Sequence, residues 1–399
     1  MTENRTPLEG IRVLDIGTMA AGPAAATLLA DFGAEVIKIE RPDGGDTLRN
    51  VGQMMEGESL YWAVDARNKK SITIDFHKKE GQELYKQLVK KSDVVVENFR
   101  PGTMEKWNIG YETLKEINPQ IILCSVSGYG QTGPYSKRIA YDRMGLAFSG
   151  LLYMSGFEDR IPVKPGLPMA DYLTAVYAAF SIMLTLFHRK NTNKGQHIDL
   201  ALYEAVYRWT EALTASYDKF GIIRERTGNI HHAGIGGHFV SSDNKYMVIT
   251  GSNNAIFKRL CIAMNKEELI NDPRYDSHQK RVQHIEYINS LIAEWVSSNK
   301  CQDIVKICEE AGIPCSMLYN IKDIVEDPHY QARESFVNIE HPRLGNIKMQ
   351  NVFPKLSESP GEIRSSGPLL GEHNNEIFND ILGLTNEKLK KLKEIGVIH

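Results

Sequence analysis

Short apolar runs alternating with amphipathic segments dominate the first half of the chain. Ile11–Ile16, Glu35–Glu40, Ser71–Asp75, Asp93–Glu97, Ile121–Val126 and Gln196–Leu202 each read as a strand buried on both faces. Segments of helical period lie between them: one opened by Pro23 behind the Gly17–Gly22 turn, then Glu80–Lys91, the very apolar stretch from Asp171 to Phe187, and Tyr203–Tyr217. Gly195, behind the basic run His188–Lys194, is the expected stop of the long helix. This rhythm predicts an α/β fold with a doubly wound parallel sheet, which presents its ligands beyond the carboxyl ends of the strands.

The texture changes near residue 221. Gly228, Gly234, Gly236 and Gly237 punctuate Arg226–His238, which has too little apolar content for a regular element. It reads either as a linker or hairpin tip, or as a loop of backbone N–H donors over a ligand. Beyond it, short strands (Tyr246–Thr250, Ser316–Leu318) alternate with helices (Ala255–Met264, Ile285–Ser298, Ile304–Ala311), followed by a strand at Gly345–Val352 and helices at Asn375–Leu382 and Asn386–Ile395. The expected division is a large Rossmann-like domain from residues 1–225 and 330–399, with a smaller α+β domain at 226–329.

Composition adds exclusions. A net charge of −3 over 399 residues gives no reason to expect nucleic acid or a membrane surface as partner, so an anionic ligand must meet a local basic cluster. Arg41, Arg67, Lys69 and Lys70 fall near predicted strand ends. They read as a solvated face or as contacts to a phosphate-bearing ligand. Five cysteines without CxxC or Cys/His spacing predict neither a disulfide framework nor a metal site, and suit a reducing, cytoplasmic compartment. The first residues lack an apolar signal region, and the Asp171–Phe187 helix is short for a membrane span. Gly17 and Gly22 do not follow the G-x-G-x-x-G spacing of a dinucleotide site. Asp171 stands alone as a carboxylate between a Pro/Gly-rich turn and an apolar helix with small neighbours, which suits a helix N-cap or a nucleophile.

An ordered set of motifs spans nearly the whole chain: Gly22-Pro23, Val36–Arg41, Glu97-Asn-Phe-Arg-Pro-Gly102, Ser127-Gly-Tyr-Gly130, Tyr141-Asp142, Asp171, Gly195-Gln196 and Leu369–His373. Together they resemble the family III CoA-transferases, the group of formyl-CoA:oxalate and carnitine CoA-transferases. The resemblance implies an interlocked homodimer whose chains each pair a Rossmann-like domain with a smaller one. It implies Asp171 as nucleophile, ionised at its helix N-terminus, passing through an aspartyl anhydride and an aspartyl-CoA thioester. Acyl-CoA and a small carboxylic acid are the implied substrates, with no tightly bound cofactor.

By the same resemblance Arg41, Asn98, Phe99 and Tyr141 line the CoA tunnel, with Lys70, Arg100, Lys106 and Arg138 as further CoA contacts, and Gly236 and Gly237 in a glycine loop over the aspartate. Lys106 replaces the arginine of many members. Ala20 stands where the formyl-CoA:oxalate enzymes carry Gln, which argues against oxalate as acceptor. An α-methylacyl-CoA racemase is the alternative within the superfamily, but its second acid/base is a His at the position of Tyr141, and tyrosine is a poor base at neutral pH.

Overall fold

Six of the expected apolar runs form one parallel sheet in a computed structural model that describes residues 6–230 and 234–399. The strands are β1 (Arg12–Asp15), β2 (Glu35–Glu40), β3 (Lys69–Thr73), β4 (Val94–Glu97), β5 (Ile122–Ser127) and β6 (His197–Ala201), in the order β3-β2-β1-β4-β5-β6. All five pairings are parallel, for example Val13 beside Val36 and Val94. The order reverses between β1 and β4, and the crevice opened there at the carboxyl ends is where such a sheet receives a ligand.

Period-two alternation divides the core. Val13, Val36, Val94 and Val96 face helix α1 (Ala21–Asp31) and, through Ala175, Ala178 and Ile182, a long helix. Leu14, Ile37 and Val95 face the opposite side, against Leu84 and Leu88 of α2 (Lys79–Val89) and the C-terminal Phe378 and Leu389. Helix α3 (Asp142–Phe148) packs beside the long helix, α4 (Met169–Thr192). By length and composition α4 could cross a membrane, yet its small residues lie buried on the sheet.

Among the boundaries that differ from the sequence reading, three bear on packing. Helix α4 ends at Asn193, which takes the left-handed conformation (φ 55°) two residues before Gly195. Gly195 serves packing, since a Cβ there would lie 1.9 Å from the Ile121 carbonyl oxygen. The single helix expected over 203–217 is broken into α5 (Leu202–Tyr207) and α6 (Leu213–Phe220), with Glu211 at φ 53° between them. Within the stretch expected to hold no element, Gly236–Val240 is strand β7; residues 231–233 of that stretch lie outside the described residues.

Contacts within the chain group it into two units. One takes in residues through Leu151, Pro165–Ala212 and Ala332–His399; the other comprises Leu152–Lys164 and Leu213–Gln331. The second has a three-stranded antiparallel sheet with β8 (Tyr246–Thr250) between β7 and β9 (Cys315–Met317). Phe257 and Leu260 of α7 (Asn254–Ala263), Ile288 and Ile292 of α8 (Ile285–Ser297) and Ile304 of α9 (Cys301–Ala311) fill its core.

Candidate active site

Asp171 lies in the first turn of α4, not at its cap. Pro168 occupies the cap position, and the orphan N–H groups are taken by Asp142, whose Oδ1 accepts from the N–H of Ala170 at 2.7 Å and of Asp171 at 3.4 Å. The capping role expected of Asp171 thus falls to a residue 29 positions upstream. Gly145 of α3 permits the approach, because a Cβ there would sit 3.2 Å from that of Ala170 and 3.0 Å from that of Leu202. Among the described residues no donor reaches the Asp171 carboxylate, and burial, followed by the charge of Asp142, pushes its pKa up to about 7. The sequence reading expected an ionised carboxylate at a helix N-terminus; Asp171 does lie in the first turn of α4, and burial and the Asp142 charge act against its ionisation there. Beside it, Tyr172 donates from its hydroxyl to Asp65 at 3.0 Å.

A second constellation forms where the sheet order reverses. A cleft is lined by the carboxyl ends of β1 (Ile16, Gly17, Thr18), β2 (Glu40, Arg41) and β3 (Asp75, Phe76, His77), with Phe99 and Trp107 behind β4. Trp107 is its aromatic hub, with ring centroids 5.1 Å from Phe99, 5.4 Å from His77 and 5.6 Å from Phe76. The rings meet Trp107 edge-on or tilted, and an apolar aromatic wall of this kind suits a heteroaromatic base. Buried charges hold the floor: Lys38 Nζ lies 2.9 Å from Asp46 and 3.5 Å from Asp15, and Lys69 Nζ lies 2.8 Å from Asp15. Burial opposes the Lys38 charge, but Asp15 and Asp46 more than offset it and raise its pKa. Glu40 anchors the following loop by accepting from the Asp46 N–H at 2.9 Å and from Arg49 at 2.7 Å.

The structure brings only some of the expected residues to this cleft. Arg41 and Phe99 line it, with the Arg41 side chain exposed. Asn98 stands behind the wall, its amide spent on a two-way clamp of Thr18: Oδ1 accepts from the Thr18 N–H and Nδ2 donates to the Thr18 carbonyl, both at 2.8 Å. Arg100 and Lys106 are exposed near Trp107 in sequence. Lys70 lies at the start of β3, at the opposite edge of the sheet, paired with Glu35 at 3.0 Å and Glu376 at 2.7 Å. Arg67 and Lys69 likewise precede or begin β3, and carboxylates hold both. Arg138 is exposed with its guanidinium 3.6 Å over the Tyr135 ring, and Tyr141 is 70% exposed one residue before α3. Sequence reasoning missed Phe76, His77, Trp107 and Asp46, although the first three follow strands whose ends it had marked.

In the second unit, Gly236 and Gly237 open strand β7 and line a pocket with Asn229, Thr250 and Ser252. Gly236 has φ 118°, and a Cβ there would lie 2.1 Å from the Ile249 carbonyl oxygen, so no other residue fits. Asn289, buried in α8, accepts from the Gly236 N–H at 3.0 Å and donates to its carbonyl at 3.1 Å.

Comparisons with known proteins agree on kinship. The family model "CoA-transferase family III" matches residues 8–374. The chain is 43% identical over 394 residues to a succinyl-CoA–D-citramalate CoA-transferase of Chloroflexus aurantiacus, covering 98% of each chain. It is 33% identical over 396 residues to the succinyl-CoA:glutarate CoA-transferase of Homo sapiens, covering 99% of this chain and 90% of that one. A CAIB/BAIF family protein from Brucella suis superposes with a TM-score of 0.84 at 33% identity, over 94% of this chain and all of the other.

Proposed function

The chain belongs to CoA-transferase family III, and from that premise we propose that it moves CoA from an acyl-CoA donor to a free carboxylic acid through covalent intermediates on Asp171. The observation that carries this reading is the Asp171 carboxylate itself: partly buried, unused by the helix cap, and held at a pKa of about 7 by burial and Asp142. A carboxylate stripped of hydrogen-bond donors is a stronger nucleophile than a solvated one, and near neutrality about half of it is ionised. It attacks the thioester carbonyl and expels the CoA thiolate, leaving a mixed anhydride. The thiolate returns to the aspartyl carbonyl and releases the donor acid as a carboxylate. The acceptor carboxylate then attacks the aspartyl-CoA thioester, the thiolate leaves again, and its attack on the acceptor side of the new anhydride frees the Asp171 carboxylate.

The cleft between β1 and β4 takes the CoA nucleotide in this proposal, with the base against Phe99, Trp107 and His77 and phosphate at Arg41, aided by Arg100, Lys106 and Arg138. Lys70 is left out because two carboxylates already neutralise it on the wrong edge of the sheet. Gly236 and Gly237 serve as the glycine loop by leaving room for a ligand where a side chain would clash, and Asn289, which takes up the Gly236 N–H, holds the backbone there. The relatives' names pair succinyl-CoA with citramalate and glutarate, both dicarboxylic acids, so a dicarboxyl donor and acceptor are the first pair to try. We further propose an interlocked homodimer, supported by the exposed apolar side chains Val176, Phe180, Leu184 and Phe187 along α4, and a cytoplasmic setting, in keeping with five free thiols.

A panel of CoA esters against free dicarboxylates, oxalate and betaines, with products resolved by mass, tests the assignment. Transfer from succinyl-CoA to a dicarboxylate is expected. Exchange of the α-hydrogen of a 2-methylacyl-CoA for deuterium without any acceptor, and no transfer, would move the chain to the racemase chemistry instead.

A further inference from the structure

Three neighbouring strands carry a polar chain that the transfer chemistry does not use. Glu97 ends β4, Ser125 lies opposite it on β5, and His197 opens β6. Glu97 is 3% exposed and Ser125 2%. Glu97 Oε2 accepts from the Phe99 N–H at 2.7 Å, and Ser125, its ladder neighbour, sets its hydroxyl beside the same carboxyl group. Ser125 Oγ also lies 2.9 Å from His197 Nε2. The His197 ring stacks on Tyr111, with centroids 5.2 Å apart, and reaches the surface. One hydroxyl thus stands between a buried carboxyl and an exposed imidazole.

We infer that Glu97, Ser125 and His197 form a proton relay that positions the Asn98–Phe99 corner of the cleft, so that nucleotide affinity there follows the protonation of Glu97. The inference rests on the reading of that cleft as the CoA nucleotide site. With Glu97 ionised, His197 Nε2–H donates to Ser125 Oγ and the Ser125 hydroxyl donates to the carboxylate. When a proton enters from solvent at His197 Nδ1, the Nε2 proton passes to Ser125 and the Ser125 proton to Glu97. Every donor then points the other way: Glu97 O–H to Ser125 Oγ, and Ser125 O–H to the bare Nε2. The net charge rises by one, on Glu97, and His197 ends neutral in the other tautomer.

The surroundings put this event in the neutral range. Burial, then Glu105 of the Thr103–Lys106 turn and Asp199 of β6, push the Glu97 carboxyl up to about 7 against the bonds from Ser125 and Phe99. Tyr85 of α2 and Cys124 of β5 also face it, and burial drives both upward. Asp199, Glu105 and Glu112 face His197, whose pKa burial lowers, which favours the neutral ring that the relay needs. Loss of the Glu97 charge weakens the bond to the Phe99 N–H, since charge-assisted bonds are roughly twice as strong as neutral ones. Phe99 packs edge-on against Trp107, and Asn98 clamps Thr18, so the cleft wall loosens with it. The sign follows: Glu97 binds its proton as pH falls through about 7, and affinity falls with it.

Dephospho-CoA, which lacks the 3′-phosphate and its titration, is the probe. Its Kd is measured by calorimetry between pH 6 and 8.5 for the wild type, Glu97→Gln and Ser125→Ala. In parallel, 15N-histidine labelling follows the His197 ring nitrogens in the unliganded protein, assigned with His197→Asn. The wild type should bind about 3- to 10-fold more weakly at pH 6 than at pH 8. Glu97→Gln, fixed in the neutral form, should flatten that profile. The His197 proton should move from Nε2 to Nδ1 with the same midpoint in the wild type and stay put in Ser125→Ala. An unchanged pH profile in Glu97→Gln, or one His197 tautomer from pH 6 to 8.5, overturns the relay. Should Glu97→Gln fail to fold, the wild-type tautomer decides. Failure of dephospho-CoA to bind at any pH would instead overturn the reading of the cleft, with the tautomer measurement still deciding the relay.

Discussion

At the scale of single residues, the pair Asp142 and Asp171 concentrates the chemistry. Asp142 supplies the cap and, through its charge, part of what raises the Asp171 pKa to about 7. The reacting form is the carboxylate, so kcat/KM should rise with pH through an acid limb centred near 7. Asp142→Asn keeps an oxygen for the Ala170 N–H and removes the charge, so the limb should move to lower pH. It should remain above the ordinary aspartate value, because burial is the larger cause; a pH–rate profile of the two proteins checks both statements. Asp171→Ala should abolish transfer while leaving CoA binding intact, read by turnover and calorimetry. The sequence marked Asp171 from its isolation in an apolar setting, but it assigned the cap to the wrong aspartate. Nothing local shows that a residue 29 positions away folds back onto the helix start.

Among elements, the sheet was the most legible feature and the connections the least. Strands buried on both faces need continuous apolar runs, so β2 coincides with the expected Glu35–Glu40, and the half-buried β8 with Tyr246–Thr250. Strand β7 escaped notice because two of its five residues are glycines and its partner strand, not its own side chains, holds it. The break between α5 and α6 carries no Pro or Gly, so only tertiary packing decides it. Lys69 read as part of a solvated face or as a phosphate contact, and Lys38 lies inside a strand; two aspartates, Asp15 and Asp46, keep both buried. Removing Asp15 leaves both cations short of a partner, so Asp15→Ala should lower stability by about 3–5 kcal/mol, measured by urea unfolding. Asn289→Leu removes both bonds to Gly236 and strands buried backbone groups, costing on the order of 1–3 kcal/mol.

For the whole molecule, α4 poses the question of what covers it. One face lies on the sheet through Ala175, Ala178 and Ile182, while Val176, Phe180, Leu184 and Phe187 are more than half exposed on the other. A row of large apolar side chains along a helix of 24 residues marks an interaction surface, and a second copy of the chain is the proposed occupant. Light scattering should report a dimer at all accessible concentrations, and Phe180→Asp with Phe187→Asp should disrupt it. A monomer in the wild type would leave the face to another partner. The claim on which the rest depends is the covalent role of Asp171. Intact mass spectrometry after quenching with succinyl-CoA and no acceptor, followed by hydroxylamine and peptide mapping, measures it directly. The expected result is a CoA adduct that hydroxylamine converts to a hydroxamate on the peptide carrying Asp171, absent in Asp171→Ala. Full turnover with that peptide unmodified would contradict it.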